Sequence, residues 1–564
     1  MYSINAAALL IGAAGLLSRA LGILRDRLLA SHFGASRELD IYYAAFQIPD
    51  AMYTIFLLGA ASAAIIPVLL DISGKGNDGG RGFMKDLIIV FSWGSAALAV
   101  FAFFLMPYLS AFVAPGFSES ERSILVTISR VMLLSPILLG LSSVLSSAIQ
   151  SARLFVVYAL TGVVYNAGII IGILFFLPVF GIQGLAYGVL VGALFHLLIQ
   201  IAPFYRLGFR FPQIRDYFFV PWRTFFQGAV GNVFSLSLPR TIALSFRQIT
   251  FIVYIALAST LLSGSISILQ LAYNLQYIPV GIFGLSFAIA AFPQLTDYRI
   301  EGNGKRWGET ISASLRAILF WVAPLSALFY VLRAQIVRVA FGGGRFDWGD
   351  TILTAAVFGV FSVAIIAESV IPLLVRSFYS IGDTRRPLLI GAVASFISIL
   401  SAVLLVTIVN RFPGELVDFF RHILKVGDTK GIAVIGLSWA FVVGGICEAV
   451  TLFLVLRKKT KRYFGENTQI PVEWGALFRI GWVALLAGIV TFGTLRTVNL
   501  VVTLDTFAGV FTQGTLSFLA GAVTYVGILY LFGTKEIIDL LETARRHLFR
   551  RDVLPRQLDG NSVE

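Results

Sequence analysis

Long apolar runs, separated by short polar or basic stretches, recur along the whole chain. A helix that crosses a bilayer takes about 20 mostly apolar residues, and we count fourteen runs of about that length or more. They lie near residues 6–30, 41–70, 86–113, 123–149, 156–177, 183–204, 238–262, 264–295, 312–341, 350–375, 387–410, 432–456, 475–495 and 512–533. The pattern therefore predicts an all-α polytopic membrane protein with about 14 transmembrane helices.

The composition supports this class and excludes others. Hydrophobic residues make up 58% of the 564 residues and charged residues 13%, whereas about 25% of a typical soluble chain is charged. The single cysteine, Cys447, excludes an internal disulfide, and the four histidines have no ligand spacing. We therefore expect no cofactor, no metal and, despite the net charge of +13, no nucleic-acid partner. The first apolar run lacks a small-residue cleavage site and should stay in the mature chain.

Basic residues alternate between the two sides of the predicted bundle. Most lie in the connections on the same side as the N-terminus, near residues 75–85, 153, 206–223, 299–306, 376–386, 457–462 and 545–551. Cytoplasmic loops of membrane proteins are enriched in Lys and Arg. The alternation therefore predicts an even number of spans with both termini in the cytoplasm. The outer connection 411–430 departs from this alternation, and its pattern predicts an amphipathic helix on the membrane surface.

A weak internal repeat relates the two halves of the chain. Gly184-Leu185-Ala186-Tyr187-Gly188 in the sixth span resembles Gly436-Leu437-Ser438-Trp439-Ala440 in the twelfth, 252 residues later. Two six-helix lobes in the same orientation would enclose a central cavity. We predict a first lobe over 1–206, an interfacial connection over 207–236 and a second lobe over 237–462. Two additional helices over 463–533 and a cytoplasmic tail over 534–564 follow.

Charged residues inside the apolar runs are the candidate functional residues. Arg19 and Arg25 lie in the first run, where a guanidinium costs roughly 2.5–3.5 kcal/mol at the centre of an inserted helix. Such charges usually face a cavity, although Arg19 and Arg25 could instead reach a lipid headgroup or stabilise helix packing. Other polar groups that could line the cavity are Arg130, Arg240, Arg247, Asn274 and Glu368. For Arg240 interfacial anchoring, and for Glu368 and Glu448 helix–helix hydrogen bonding, remain open.

Several collinear segments resemble one known family. They include Leu17-Ser18-Arg19, Arg25-Asp26, Phe33-Gly34-Ala35, Asp40, Ala45-Phe46-Gln47-Ile48-Pro49, Val164-Tyr165-Asn166-Ala167-Gly168 and Asp383-Thr384-Arg385-Arg386-Pro387. Together the matches run from about residue 10 to residue 460 and resemble the bacterial MurJ/MviN-type lipid II flippases. These are members of a superfamily of two-lobed exporters with twelve core spans, and this family adds two further spans.

The resemblance implies an activity and a site. Family members move the undecaprenyl-diphosphate-linked peptidoglycan precursor from the inner to the outer leaflet of the bacterial inner membrane. Arg19 and Arg25 fall on functional cavity arginines of the family, and Asp40 falls on its acidic residue before the second span. A cap at the start of a helix is the structural alternative for Asp40. The implied partners are a polyprenyl-diphosphate-linked glycan lipid and the bilayer, and we expect a monomer.

The chain also departs from the family pattern. Tyr53-Thr54 replaces an arginine pair, and Tyr273-Asn274 replaces an Asp-Arg pair. Tyr254 stands at an acidic position that some relatives use for sodium, so sodium coupling is doubtful. Three readings stay open: a lipid II flippase, an exporter of another lipid-linked oligosaccharide or amphiphile, and a scaffold without transport. A fold can persist while its cargo changes, but all three are membrane proteins without enzyme activity.

Overall fold

A computed structural model describes most of the chain. It covers residues 4–54, 59–74, 77–152, 154–218, 228–411, 414, 421–422, 424, 426–427, 429–465, 469–502 and 506–538. Within these ranges the side chains of residues 4–12, 59–64, 77–78, 155, 236, 239–240 and 243 are not described. Most of the predicted surface helix over 411–430, part of the connection 207–236 and most of the tail after residue 533 lie outside the described residues.

All long secondary-structure elements in the described part of the chain are helices. The first half contains α1 (Ile4–Phe33), α2 (Arg37–Ala45), α3 (Gln47–Met52), α4 (Gly59–Ser73), α5 (Asn77–Val113), α6 (Glu119–Met132), α7 (Leu134–Ser151), α8 (Phe155–Ile171), α9 (Leu177–Phe180), α10 (Gln183–Arg206) and α11 (Ile214–Phe218). The second half contains α12 (Gly228–Ser259), α13 (Ser265–Pro279), α14 (Leu285–Ile300), α15 (Gly304–Val331), α16 (Arg333–Phe341), α17 (Trp348–Ser380), α18 (Arg385–Arg411) and α19 (Ala433–Phe464). Two helices close the described chain, α20 (Trp474–Val498) and α21 (Phe507–Leu531).

The all-α polytopic class is confirmed. Eleven described segments are long and apolar enough to cross a membrane, and they coincide with predicted spans three to six and eight to fourteen. The first, second and seventh predicted spans correspond to α1, to α2–α4 and to α12. These three are not among the eleven, so the exact count of fourteen stays a prediction.

The second predicted span is not one continuous helix. Helix α2 ends at Ala45 and α3 begins at Gln47, because Pro49 has no backbone N–H for the carbonyl of Ala45. Similar interruptions occur later in the chain. Five-residue π-helical segments lie at Gly172–Phe176 and at Val280–Gly284, and Pro279 immediately precedes the second. Such segments let a helix bend inside the bundle.

The helices of each half pack mainly on one another. In the first half α8 and α10 lie side by side, and α1 packs on α8 and α7 on α10. In the second half α19 packs on both α17 and α18, while α12 and α13 pack on α18 and α17. The last two helices pack together and lie against α15 and α16. The bounds of the predicted lobes stay predictions.

The glycine motifs of the repeat explain how neighbouring helices approach so closely. A Cβ atom at Gly188 would lie 2.6 Å from Cα of Gly172, the first residue of the π-helical segment that continues α8. In the second half, a Cβ atom at Gly444 on α19 would lie 2.5 Å from Oγ of Ser398 on α18. Glycine therefore allows α10 to approach α8 closely in the first half, and it allows α19 to approach α18 closely in the second half.

We expect Gly188→Val to destabilise the first half of the protein. The valine side chain would force α8 and α10 apart, at a cost of about 1–3 kcal/mol or more for overpacking. Thermal unfolding of the detergent-purified protein should shift to lower temperature. The matched control is Gly493→Val, because no atom lies within 4 Å of a Cβ built on Gly493 in α20. Equal unfolding temperatures for the two variants would contradict this packing.

Candidate functional site

Arg25 is held by partners from two helices. Its Nε donates to Oδ1 of Asp26 at 2.9 Å, and its Nη2 lies 2.8 Å from the same oxygen. Its Nη1 donates to Oδ1 of Asn166 on α8 at 3.2 Å, and the amide of Asn166 donates back to the carbonyl oxygen of Ser18 at 3.3 Å. Arg25 is therefore fixed in orientation, and Asp26 neutralises its charge locally.

Asp26 connects the two halves of the chain. Asp26 is only 3% exposed. Its Oδ2 accepts a hydrogen bond of 2.8 Å from Nδ2 of Asn274 on α13. The amide of Gln270 in turn donates to Oδ1 of Asn274 at 3.0 Å. The predicted cavity residue Asn274 is thus joined to Arg25 through Asp26, and a partly buried hydrogen bond links the first helix to α13.

Arg19 approaches the same helix of the second half. Its Nη1 donates to the carbonyl oxygen of Ile278 at 2.8 Å. A Cβ atom at Gly281 would lie 2.2 Å from Nη2 of Arg19, so a larger residue there would displace the guanidinium from this position. Among the described residues no carboxylate pairs with Arg19. It is therefore the uncompensated cation of this site.

Asp40 lies at a contact between the halves and touches neither arginine. It is fully buried, and its carboxylate accepts hydrogen bonds from the backbone N–H groups of Gly264 at 2.7 Å and Ser267 at 2.8 Å. The hydroxyl of Ser267 adds a third bond of 2.7 Å. Asp40 therefore caps the start of α13 in the other half, not its own helix α2, which Ser36 caps.

Further contacts close the same end of the bundle, where α1 ends. The backbone N–H of Arg345 donates to the carbonyl oxygen of Ser31 at 2.8 Å, and the N–H of Ala35 donates to Oδ2 of Asp350 at 3.0 Å. The N–H of Gly116 donates to Oγ of Ser259 at 3.1 Å. These bonds and those of Asp40 hold the two halves together at the end of the bundle where α1 ends.

A second group of charges lies within the second half. Arg247 on α12 forms an ion pair with Glu368 on α17, which is only 5% exposed. Tyr273 on α13 and Glu448 on α19 face the same guanidinium. The structure brings Arg247 and Glu368 together, a pairing that the sequence did not predict, and the carboxylate neutralises the guanidinium that it contacts. It adds no net positive charge to the space between the halves.

The remaining predicted residues lie elsewhere. The guanidinium of Arg130 stacks 4.5 Å from the ring centroid of Phe103 and donates to its carbonyl oxygen at 3.1 Å. The side chain of Arg240 lies outside the described residues. Tyr254 is buried, and its hydroxyl lies 2.5 Å from Oγ of Ser398. The structure therefore brings Arg19, Arg25 and Asn274 to one site and does not bring Arg130 there.

Sequence reasoning missed three residues of this site, Asp26, Asn166 and Asp50. Asp26 shares a helical stripe with Arg19 and could have been found from that spacing. Asp50 on α3 is exposed and faces Arg25 and Tyr165, but as the residue after Pro49 it carries no distinguishing signal. No group of three or more His, Cys, Asp or Glu side chains suited to a metal occurs within the described ranges. The predicted absence of a cofactor stays a prediction.

Comparisons with known proteins agree with this architecture. Residues 29–412 match the model of a family described as "Lipid II flippase MurJ". A "Probable lipid II flippase MurJ" of Rhizobium tropici is 26% identical over 570 residues, which covers 97% of this chain and 96% of the relative. The "Lipid II flippase MurJ" of Burkholderia cenocepacia is 24% identical over 449 residues, covering 79% of this chain and 82% of the relative.

Two solved structures share the fold. A lipid II flippase MurJ in an inward closed conformation superposes with a TM-score of 0.69 at 21% identity, covering 93% of this chain and all of that one. An inward-facing multidrug transporter of the MATE family, in the MOP superfamily, gives a TM-score of 0.61 at 15% identity over 81% of this chain and 98% of that one. At these identities the likeness shows the fold alone.

The helical bundle and the charges enclosed between its halves define a class, the multi-pass membrane transporters. Within that class the match over residues 29–412 covers more than half of the chain. The chain belongs to the lipid II flippase MurJ family.

We expect Asp40→Asn to weaken the closed end of the bundle. The amide cannot accept all three hydrogen bonds from Gly264 and Ser267 with the strength of a carboxylate. Spin labels at residues 119 and 430, in a Cys447→Ser background, should report a broader and longer distance distribution than in the Asp40 protein.

Ser120→Ala serves as the control, because Ser120 is exposed in the first turn of α6 at the same end, and its hydroxyl lies 3.1 Å from Oγ of Ser118, which caps that helix. An unchanged distance distribution in Asp40→Asn would show that Asp40 does not hold the halves together.

Proposed function

We propose that this protein moves lipid II, the polyprenyl-diphosphate-linked precursor of peptidoglycan, from the inner to the outer leaflet by alternating access. Membership in the MurJ family and the names of the relatives support this cargo. One observation carries the proposal: Arg19, a guanidinium without a carboxylate partner in the described structure, reaches from the helix that carries Arg25 to the backbone of α13 in the other half. Guanidinium groups bind phosphate oxygens in a bidentate manner.

The alternatives fit less well. A cation exporter has no use for two arginines at this depth. A scaffold without transport would not need the cost of placing them there. An exporter of another lipid-linked oligosaccharide would share the diphosphate chemistry, but the relatives are named for lipid II.

The proposed topology places both termini in the cytoplasm of a bacterial cell and the chain in its inner membrane. The positive-inside alternation supports this orientation. The closed end, at Asp40 and Gly264, then faces outward. In this state the diphosphate would reach Arg19 and Arg25 from the cytoplasmic side. Opening to the outside would require the bonds of Asp40 to break while contacts form at the other end.

Coupling is proposed to use the membrane potential and not sodium. The hydroxyl of Tyr254 contacts Ser398, whose hydroxyl donates to the carbonyl oxygen of Ala440 at 3.0 Å. A hydrogen-bonded tyrosine thus occupies the position that some relatives use for sodium. A diphosphate with about two negative charges gains roughly 4.6 kcal/mol per 100 mV when it moves outward through an inside-negative potential.

Depletion of the protein in its own cell tests the cargo directly. Lipid II should accumulate on the inner leaflet, and cells should lose wall integrity. Normal outer-leaflet exposure of lipid II after complete depletion, in a cell without another flippase, would contradict the proposal.

We expect Arg19→Ala to abolish complementation of a flippase-deficient strain, because Arg25 is already paired with Asp26. Arg19→Lys should retain part of the activity, since the charge remains but the bidentate geometry is lost. Membrane abundance should stay normal, because removing an intramembrane charge relieves a cost of a few kcal/mol.

Arg130→Ala is the matched control, because Arg130 lies in a spanning helix but contacts Phe103 instead of the site. Arg130→Ala should complement. Full complementation by Arg19→Ala at normal abundance would exclude Arg19 as a cargo ligand.

We expect transport in proteoliposomes to depend on the membrane potential and to continue when sodium is replaced by a bulky organic cation. Flipping of fluorescent lipid II should rise with the imposed inside-negative potential. Transport that stops on sodium removal at constant potential would overturn this coupling.

A further inference from the structure

A row of aromatic side chains begins beside Arg19 and follows α13. The ring of Tyr277 faces the guanidinium of Arg19, and it stacks on the ring of Tyr273, with the ring centroids 6.1 Å apart and the planes inclined by 25°. The two tyrosines are about one helical turn apart and lie on the same face of α13. This face begins where the diphosphate is proposed to bind, so it can contact the part of the cargo that follows the diphosphate.

The two tyrosine rings differ in how they are packed. The centroid of the Tyr273 ring lies 4.9 Å from that of Phe251 on α12, 6.2 Å from Phe361 on α17 and 5.8 Å from Phe441 on α19. Rings from three helices therefore fix the orientation of Tyr273. Tyr277 is 43% exposed, and its ring packs on no aromatic ring of the described chain other than Tyr273. Tyr273 covers one face of the Tyr277 ring, and much of the rest remains accessible.

Charged groups at the far end of the row indicate that it lines a polar space and not the lipid. Tyr273 faces both Arg247 and Glu368. The side chain of Arg247 stays 47% exposed despite its ion pair with Glu368, and Glu448 on α19 faces the same guanidinium. Accessible charges within spanning helices face a bundle interior or a water-filled cavity. The row therefore extends through a polar space from one arginine, Arg19, to another, Arg247.

An accessible aromatic ring between two guanidinium groups suits a sugar. A pyranose ring has a face of C–H groups that can pack on an aromatic ring, and its edge carries hydroxyl and amide groups that need hydrogen-bond partners. Tyr277 offers the ring, and the N–H groups of Arg247 that Glu368 leaves free offer the donors. A polyprenyl chain could also pack on Tyr277, but it would take the Arg247 guanidinium out of water without replacing its hydrogen bonds.

We propose that Tyr277 binds the first sugar of the cargo, the ring joined to the diphosphate at Arg19, by stacking on its C–H face. This inference rests on the proposed function. Tyr273 is a positioning residue, because it holds the ring of Tyr277 in this orientation. Arg247 donates hydrogen bonds to the edge of the sugar. The site thereby distinguishes the sugar-bearing lipid from the bare polyprenyl diphosphate, which has the same tail and the same charged group.

The test compares the binding of two lipids to the full-length protein in nanodiscs, undecaprenyl diphosphate and the same lipid with one N-acetylglucosamine attached. The unaltered protein should bind the sugar-bearing lipid about tenfold more tightly, equivalent to about 1.4 kcal/mol. Tyr277→Ala and Tyr277→Leu should lose this preference but still bind undecaprenyl diphosphate like the unaltered protein, because Arg19 remains. Tyr277→Phe should keep most of the preference, because the ring remains.

Tyr108→Ala is the matched control, because Tyr108 is an exposed tyrosine on α5, a helix that packs mainly on α4, α6 and α7. It should keep the tenfold preference. Equal affinity of the unaltered protein for the two lipids, or an undiminished preference in Tyr277→Ala, would overturn the inference and leave the proposed function standing. Failure of the unaltered protein to bind either lipid would instead contradict the proposed function itself.

A second measurement detects the contact between the ring and the sugar. The protein is deuterated except at its tyrosine rings, and the ligand is a water-soluble short-chain analogue of the sugar-bearing lipid. Saturation of the ring protons should attenuate the NMR signals of the sugar C–H groups. Tyr277→Phe, whose deuterated ring still binds the sugar, should lose this attenuation. Equal attenuation in Tyr277→Phe and the otherwise unaltered protein, or none in either, would overturn the inference.

Discussion

A charged side chain at mid-membrane depth is stable only where the protein supplies partners or a water-filled space. In this chain that constraint determines how the two halves meet. Arg25 is paired with Asp26, and Asp26 accepts a bond from Asn274 in the other half. Arg19 reaches across to the backbone of α13 beside Gly281, where a side chain would collide with it. Charges of the first helix are thus held by the second half of the protein.

The same helix, α13, receives the contacts of Asp40 at its first turn and those of Arg19 near its end. Movement of α13 relative to α1 would therefore change both the closed end and the polar site together. Because packed helices have discrete arrangements, such a shared element is suited to switching between two states. The glycine contacts within each half favour rigid movement of the halves, with the change concentrated between them.

Much of this fold follows from the sequence. Apolar runs predicted the helices, and the motifs that begin at Gly184 and Gly436 predicted a repeat that relates the two halves. The break at Pro49 was missed, because the apolar pattern continues through it. Arg19 and Arg25 could be found because a guanidinium stands out in an apolar run.

Their partners could not be found in the same way. The bond between Asp26 and Asn274 joins residues 248 positions apart, and a single sequence contains no record of such a pairing. Asp40 was assigned to the cargo from family likeness, while its carboxylate caps a helix of the opposite half. The neutralisation of Arg247 by Glu368 was also invisible, because each residue alone suggests only a polar position inside a span.

The central claim is that the polar space between the halves carries a lipid diphosphate across the membrane. The most direct measurement is the appearance of fluorescent lipid II on the far leaflet of proteoliposomes that contain only this protein, under an imposed potential. The account predicts potential-dependent exposure of lipid II that ceases when Arg19 is replaced by alanine. Exposure of a different lipid-linked oligosaccharide but not of lipid II, or exposure unaffected by Arg19→Ala, would contradict it.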